Sequence, residues 1–209
     1  IGVSGGVSYG PLGGTHTSLH DIASMRALPN IEVFIPSDGC QTRAITNYMA
    51  EKKGPVYMRT GRGDVPQVYM QNEKFDIKKA KILQNGTDVT IIACGEMVHY
   101  AKLAGEQLSQ QGISARVIDM FCIKPADESA VYAAVRETKG IVTVEEHSVH
   151  GGLGELVAHL ASQCGGAKVM IMGFPDEEYK VGKSSELFEC YGLTAENIAA
   201  TAKTLLEEM

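Results

Sequence analysis

Short runs of Val, Ile and Met recur between segments whose apolar residues fall three and four apart, and this alternation most restricts the fold. The runs at 32–35, 56–59, 89–94, 116–120, 141–144 and 169–172 show little polar alternation, as expected of strands covered on both faces. Between them, Met97, Tyr100, Ala101, Ala104 and Leu108 share one helical face, as do Leu153, Leu156, Val157, Leu160 and Ala161. A last helix is expected from Thr194, a good N-cap, carrying Ile198, Ala202, Leu205, Leu206 and Met209. Strand and helix in strict alternation predict an α/β fold built on largely parallel sheets with flanking helices.

The alternation breaks between Gly61 and Gly86. There a turn-rich Gly61-Arg62-Gly63-Asp64-Val65-Pro66 is followed by a polar stretch of weak periodicity. We read a short first unit over 1–65, a linker over 66–80 and a second, three-layer α/β/α unit over 81–209. The first unit offers too few strands for an independent doubly wound domain. Together with Ile at position 1, this leads to the expectation that the chain is a fragment with an upstream part missing.

Other properties exclude whole classes. The formal net charge of −6, with basic residues scattered, argues against a nucleic-acid partner. No apolar run approaches the ~20 residues of a membrane helix, and the first residues lack the basic-then-apolar form of a secretion signal. Five cysteines, none close to another in sequence, fit reduced, mostly buried thiols in a cytoplasmic protein rather than a zinc site.

Three motifs could carry chemistry. In Gly10-Pro11-Leu12-Gly13-Gly14-Thr15-His16 the glycines allow close approach to a ligand, and His16 is a hydrogen-bond or proton donor near neutral pH; a structural turn with a surface histidine is the alternative. Arg59 and Arg62 follow a strand, at the edge where α/β sheets bind ligands; a guanidinium there suits phosphate or carboxylate, or is a solvated charge. Glu145-Glu146-His147-Ser148-Val149-His150-Gly151-Gly152-Leu153-Gly154 joins a strand to a helix. Its spacing matches neither a dinucleotide fingerprint nor a P-loop, so a structural turn is favoured over a metal or phosphate site. No nucleophile elbow and no cysteine beside a base support hydrolase chemistry.

Gly13-Gly14-Thr15-His16, Asp21-Ile22-Ala23, Met25 to Asn30, Pro36-Ser37-Asp38, Gly54-Pro55-Val56-Tyr57-Met58-Arg59 and Gly61-Arg62 resemble the second half of the pyrimidine-binding domain of transketolase. Asp88 to Ala93, Ala115 to Met120, Lys124-Pro125, Val144 to Ser148, Gly151 to Gly154 and Tyr191 to Ile198 resemble the family's carboxyl-terminal domain. The likeness covers nearly the whole chain and is closest to the carboxyl-terminal subunit of a split transketolase. It implies transfer of a two-carbon ketol unit between sugar phosphates, with thiamine diphosphate doing the covalent chemistry. It also implies that the activating glutamate, the ring-packing aromatics, and the residues holding the diphosphate and Mg2+ lie outside this chain. An amino-terminal transketolase subunit or domain is then the expected partner, in a homodimer of this chain or a heterotetramer. By the same resemblance His16 stands near the reacting carbons and Arg62 binds the substrate's phosphate, with Ser4, Leu12, Gly14, Thr15 and Arg59 as a possible substrate loop and no catalytic residue assigned.

Two departures bear on the substrate. Pro11-Leu12 replaces the family's Glu-Asp, and Ser4 stands where many members place a second phosphate-binding histidine, which leaves room for a modified sugar or sugar sulfonate. The rival readings are a β-type subunit of a 2-oxo acid dehydrogenase, a deoxyxylulose-phosphate synthase, and a non-catalytic assembly or regulatory module.

Overall fold

A computed structural model describes all residues, 1–209. The first segment holds β1 (Gly2–Val3), a 3-10 turn at Gly10–Thr15, α1 (Asp21–Ala27), β2 (Glu32–Phe34), α2 (Gly39–Glu51) and β3 (Val56–Thr60). The second holds β4 (Lys81–Gln84), β5 (Val89–Ala93), α3 (Met97–Gln110), β6 (Ala115–Asp119), β7 (Cys122–Lys124), α4 (Glu128–Glu137), β8 (Gly140–Ser148), α5 (Leu153–Gln163), β9 (Lys168–Phe174), α6 (Ser184–Cys190) and α7 (Ala195–Glu207). All six expected strands form, and the α/β class stands.

Three strands escape the sequence reading: β1, β4 and β7. Each has at most four residues, too short for a hydrophobic period to show. β4 lies in the polar stretch where the break was placed, and it pairs antiparallel with β6 at a sheet edge. β7 has a larger consequence. It belongs in sequence to the second segment, yet it pairs antiparallel with β2 and completes the first sheet, ordered β1-β3-β2-β7. The second sheet is ordered β4-β6-β5-β8-β9 and is parallel except at β4. Its strands β5 and β6 and the long β8 are buried along their whole length, which is why they carry no polar alternation.

The helices cover this sheet with the faces expected of them. Met97, Ala101, Ala104 and Leu108 of α3 pack with Ile198, Ala202 and Leu205 of α7 in one core cluster. Leu153, Val157 and Leu160 of α5 pack with Val131 and Ala134 of α4 in a second cluster, which also takes in Ile22, Val33 and Ile35 from the first segment. The Thr194 side chain accepts from the Asn197 amide, the N-cap its position announced. Met209, expected on the buried face of α7, lies past the helix end and is 66% exposed. The thiols also differ from expectation: all five are free, but only Cys94 and Cys122 are buried, while Cys190 is exposed.

The stretch between β3 and β4 has no regular element but is tied down. Tyr69 is buried, and its hydroxyl donates to Asp119 Oδ2 at 2.7 Å. The Val68 and Tyr69 amides donate to Asp38 Oδ2 at 3.0 and 2.8 Å.

Candidate functional site

The glycine-rich segment is a closed loop. Gly6 and Ser18 exchange two backbone hydrogen bonds, at 3.0 and 2.9 Å, so everything between them projects from one narrow base. Ser4, just before it, sits at φ 62, a left-handed conformation that few non-glycine residues adopt. The loop is fixed from below by the second segment. Val7 N donates to Glu146 Oε1 at 2.7 Å, and the Ser184 hydroxyl donates to the Val7 carbonyl at 3.0 Å. Gly10 is pressed against the start of α6, where a Cβ would come within 2.4 Å of the Gly182 carbonyl just before the helix and 2.7 Å of Leu187 in it.

His16 is exposed in the last part of this loop, just before Ser18, and the Thr15 hydroxyl lies 2.9 Å from its Nδ1. Its ring meets Tyr9 edge-on, with centroids 5.5 Å apart at 69°. Arg62 reaches the same ring from the turn after β3: its guanidinium carbon lies 4.2 Å from the Tyr9 centroid. The structure thus brings together the two residues that sequence reasoning put first, through a residue it did not consider. Gly14 has open space where a side chain would be, and Leu12 is half exposed beside the same turn. The only hint of Tyr9 in the sequence is its place in the loop, since nothing in the pattern says which way its ring points.

Arg59 does not join this cluster, contrary to its expected place in a substrate loop. It is 4% exposed and its Nη2 donates to Glu146 Oε2 at 2.9 Å and to the Glu146 carbonyl at 2.8 Å. Its Nη1 lies 3.5 Å from Asp21. Position along β3 decides this: Arg59 lies within a stretch of the strand buried on both faces, as its neighbour Met58 is buried too, whereas Arg62 lies beyond the strand's end. Glu146 emerges as the hub of the contact between segments, holding both Arg59 and the base of the His16 loop.

In the Glu145–Gly154 motif the first carboxylate turns onto the helix that follows it. Glu145 is fully buried and accepts from the Leu153 and Gly154 amides at 2.7 and 2.8 Å. The amino terminus of α5 is therefore occupied by the chain's own carboxylate. A Cβ on Gly152 would lie 1.9 Å from Glu145 Oε2, so glycine is required there. Burial pushes the Glu145 carboxyl up to about 7, offset in part by those two amides. Burial likewise pushes His147 down to about 4.

A cavity of about 440 Å3 opens at the carboxyl ends of β2, β3 and β5, lined among others by Asp38, Arg43, Arg59, Glu96 and Glu146. Thr60, Gly61 and Gly63 line it, while the Arg62 side chain leaves it for the Tyr9 ring, so cavity and cluster share a loop but no side chain from the His16–Arg62 pair. Burial, with Glu146 nearby, raises the Glu96 carboxyl to about 7. We place the candidate site at the cluster, where His16 and Arg62 face no carboxylate and share one ring; in the cavity wall Arg59 and Glu146 pair with one another, and Arg43 makes no ion pair.

The chain's own residues do not fit thiamine diphosphate and Mg2+. No group of three His, Cys, Asp or Glu side chains could hold a metal ion. The amino ends of α2 and α5, which face the contact between segments, are capped by Asp38 and Glu145, leaving no free cradle for a diphosphate there.

Residues 1–67 match the transketolase pyrimidine-binding domain, and residues 78–198 match the transketolase carboxyl-terminal domain. The chain is 48% identical to an apulose-4-phosphate transketolase subunit of Phocaeicola vulgatus over 97% of its length, and 42% identical to a putative transketolase C-terminal section of Methanocaldococcus jannaschii over its whole length. It is 37% identical to a 6-deoxy-6-sulfo-D-fructose transketolase subunit of Clostridium sp. over 99% of its length. A solved structure of a split-gene transketolase, an inactive beta4 tetramer, superposes with a TM-score of 0.88 at 40% identity over 98% of the chain. The chain spans about 65% of the length of the first two relatives and of that structure.

Proposed function

The chain belongs to the transketolase family, and from that premise we propose that it forms the substrate-facing part of an enzyme that moves a two-carbon ketol unit between sugar phosphates. The observation that carries this reading is the convergence of His16 and Arg62 on one aromatic ring at an exposed loop. Arg62, free of any carboxylate, would hold the phosphate, since a guanidinium matches its oxygens in a planar fork. His16, with the Thr15 hydroxyl on its Nδ1, would present Nε2 to the oxygens of the reacting carbons. The family uses thiamine diphosphate and a metal for the covalent chemistry, and this chain's part is to bind and orient the sugar.

We further propose residues 1–65 and 81–209 as the two functional units, with the buried Arg59–Glu146 pair locking one to the other. The reading requires an amino-terminal subunit or section as partner, and a multimer of this chain with it. Relatives named for apulose 4-phosphate and for a sulfosugar are among those matched. Leu12 and Ser4, in place of the family's acid and second histidine, support a sugar other than the common pentose phosphates.

The test is turnover by the chain assembled with its partner, using a panel of ketose phosphates and a sulfosugar. Arg62→Ala is expected to raise KM at least ten-fold for phosphorylated donors, the loss of a charge-assisted pair worth about 1.5–3 kcal/mol. His16→Ala is expected to lower kcat. The chain by itself is expected to show no turnover. Wild-type kinetics in both variants would refute the assignment.

A further inference from the structure

The two candidate substrate residues share one support. Arg62 makes no ion pair and lies over the face of Tyr9, at 4.2 Å from the centroid. His16 meets the same ring edge-on at 5.5 Å. Tyr9 itself is well placed to act as a post. Its carbonyl accepts from the Leu12 amide at 3.1 Å, the Gly10 amide closes back onto Val7 at 2.8 Å, and Val7 is held by Glu146 at 2.7 Å. The ring is therefore anchored through two short steps to the buried contact between segments. Its hydroxyl makes no hydrogen bond within the chain, so the face of the ring, and not its polar tip, does the holding.

We propose that Tyr9 is a positioning residue that fixes the Arg62 guanidinium relative to the His16 imidazole, and thereby sets the span of sugar phosphate the site accepts. This rests on the reading of His16 and Arg62 as substrate contacts. An arginine at the end of a turn otherwise samples many rotamers, and the aromatic face removes that freedom before substrate arrives. Because the ring stands between the two groups, it couples the phosphate end of the substrate to the carbonyl end.

The experiment compares Tyr9→Phe, Tyr9→Leu, Arg62→Ala and the Tyr9→Leu/Arg62→Ala pair in the assembled enzyme, with inorganic phosphate binding followed by calorimetry beside the kinetics. Tyr9→Phe keeps the ring and should behave as wild type. Tyr9→Leu should raise KM, and weaken phosphate, by roughly two- to five-fold, the worth of an exposed cation–π contact. In the Arg62→Ala background the same change should add almost nothing to KM, since the interaction is already gone. An unchanged KM in Tyr9→Leu beside an impaired Arg62→Ala, or additive effects in the pair, overturns the positioning role alone. An unchanged KM and unchanged phosphate binding in Arg62→Ala overturns the substrate reading, and the role of Tyr9 with it. Equal loss in Tyr9→Phe and Tyr9→Leu overturns the assignment to the ring face.

Discussion

Glu146→Gln tests whether the contact between the two segments rests on charge. In the wild type, Glu146 Oε2 receives Arg59 Nη2 at 2.9 Å while Oε1 receives the Val7 amide at 2.7 Å, both in buried surroundings. A glutamine can keep an acceptor for Val7, but its amide nitrogen then turns a donor toward the guanidinium. Removing one partner of a buried pair leaves an uncompensated charge, at a cost of about 3–5 kcal/mol. Asp21, still 3.5 Å from Arg59, keeps part of the compensation, so the lower end, about 3 kcal/mol, is expected. For a chain of this size that corresponds to a fall of about 6–12 °C in Tm, read by circular dichroism at a fixed pH near 7.5. The pair itself need not be a net stabiliser, because the desolvation of two ions offsets their attraction. Arg59→Met with Glu146→Leu should therefore lose less than Glu146→Gln alone. A Tm within about 1 °C of wild type for Glu146→Gln, or a double variant worse than the single one, would show that the charge is not what matters there.

Other perturbations follow from the same physics. Asp119 Oδ2 accepts from Tyr69, Gln41 and Ser37 while Oδ1 has no partner, and burial lifts the carboxyl to about 7. A folded-state value above the unfolded one means the native state binds the extra proton, so this group's penalty is absent at low pH and grows as pH rises towards 7. The Tm of Asp119→Asn minus that of wild type should increase between pH 5 and 8; a flat difference would contradict the raised value. Gly152→Ala drives a methyl against the Glu145 carboxylate and should cost about 1–3 kcal/mol in urea unfolding, with no such loss for Gly14→Ala, which has open space. An unaffected Gly152→Ala would mean that the α5 amino terminus yields more easily than the packing implies.

Sequence periodicity is a local quantity, and what it determined here was local. The six strands and the helices α3, α5 and α7 were legible because each buries a face whose residues recur at a fixed step. The Thr194 cap was legible because capping needs one side chain and an amide three residues on. Membership of the transketolase family was also readable, since the likeness lives in short motifs. The tertiary structure alone decided which charges are free. Arg59 and Arg62 lie three positions apart and read alike, yet one is consumed by Glu146 from a distant strand and the other makes no ion pair and lies over the Tyr9 ring. It alone recruited β7 into the first sheet, aimed the Tyr9 ring between two other side chains, and turned a carboxylate-rich motif into the hub of a contact. Pairing between residues more than eighty positions apart, as in Arg59 and Glu146, leaves no periodic trace in either segment, because only folding brings the two together.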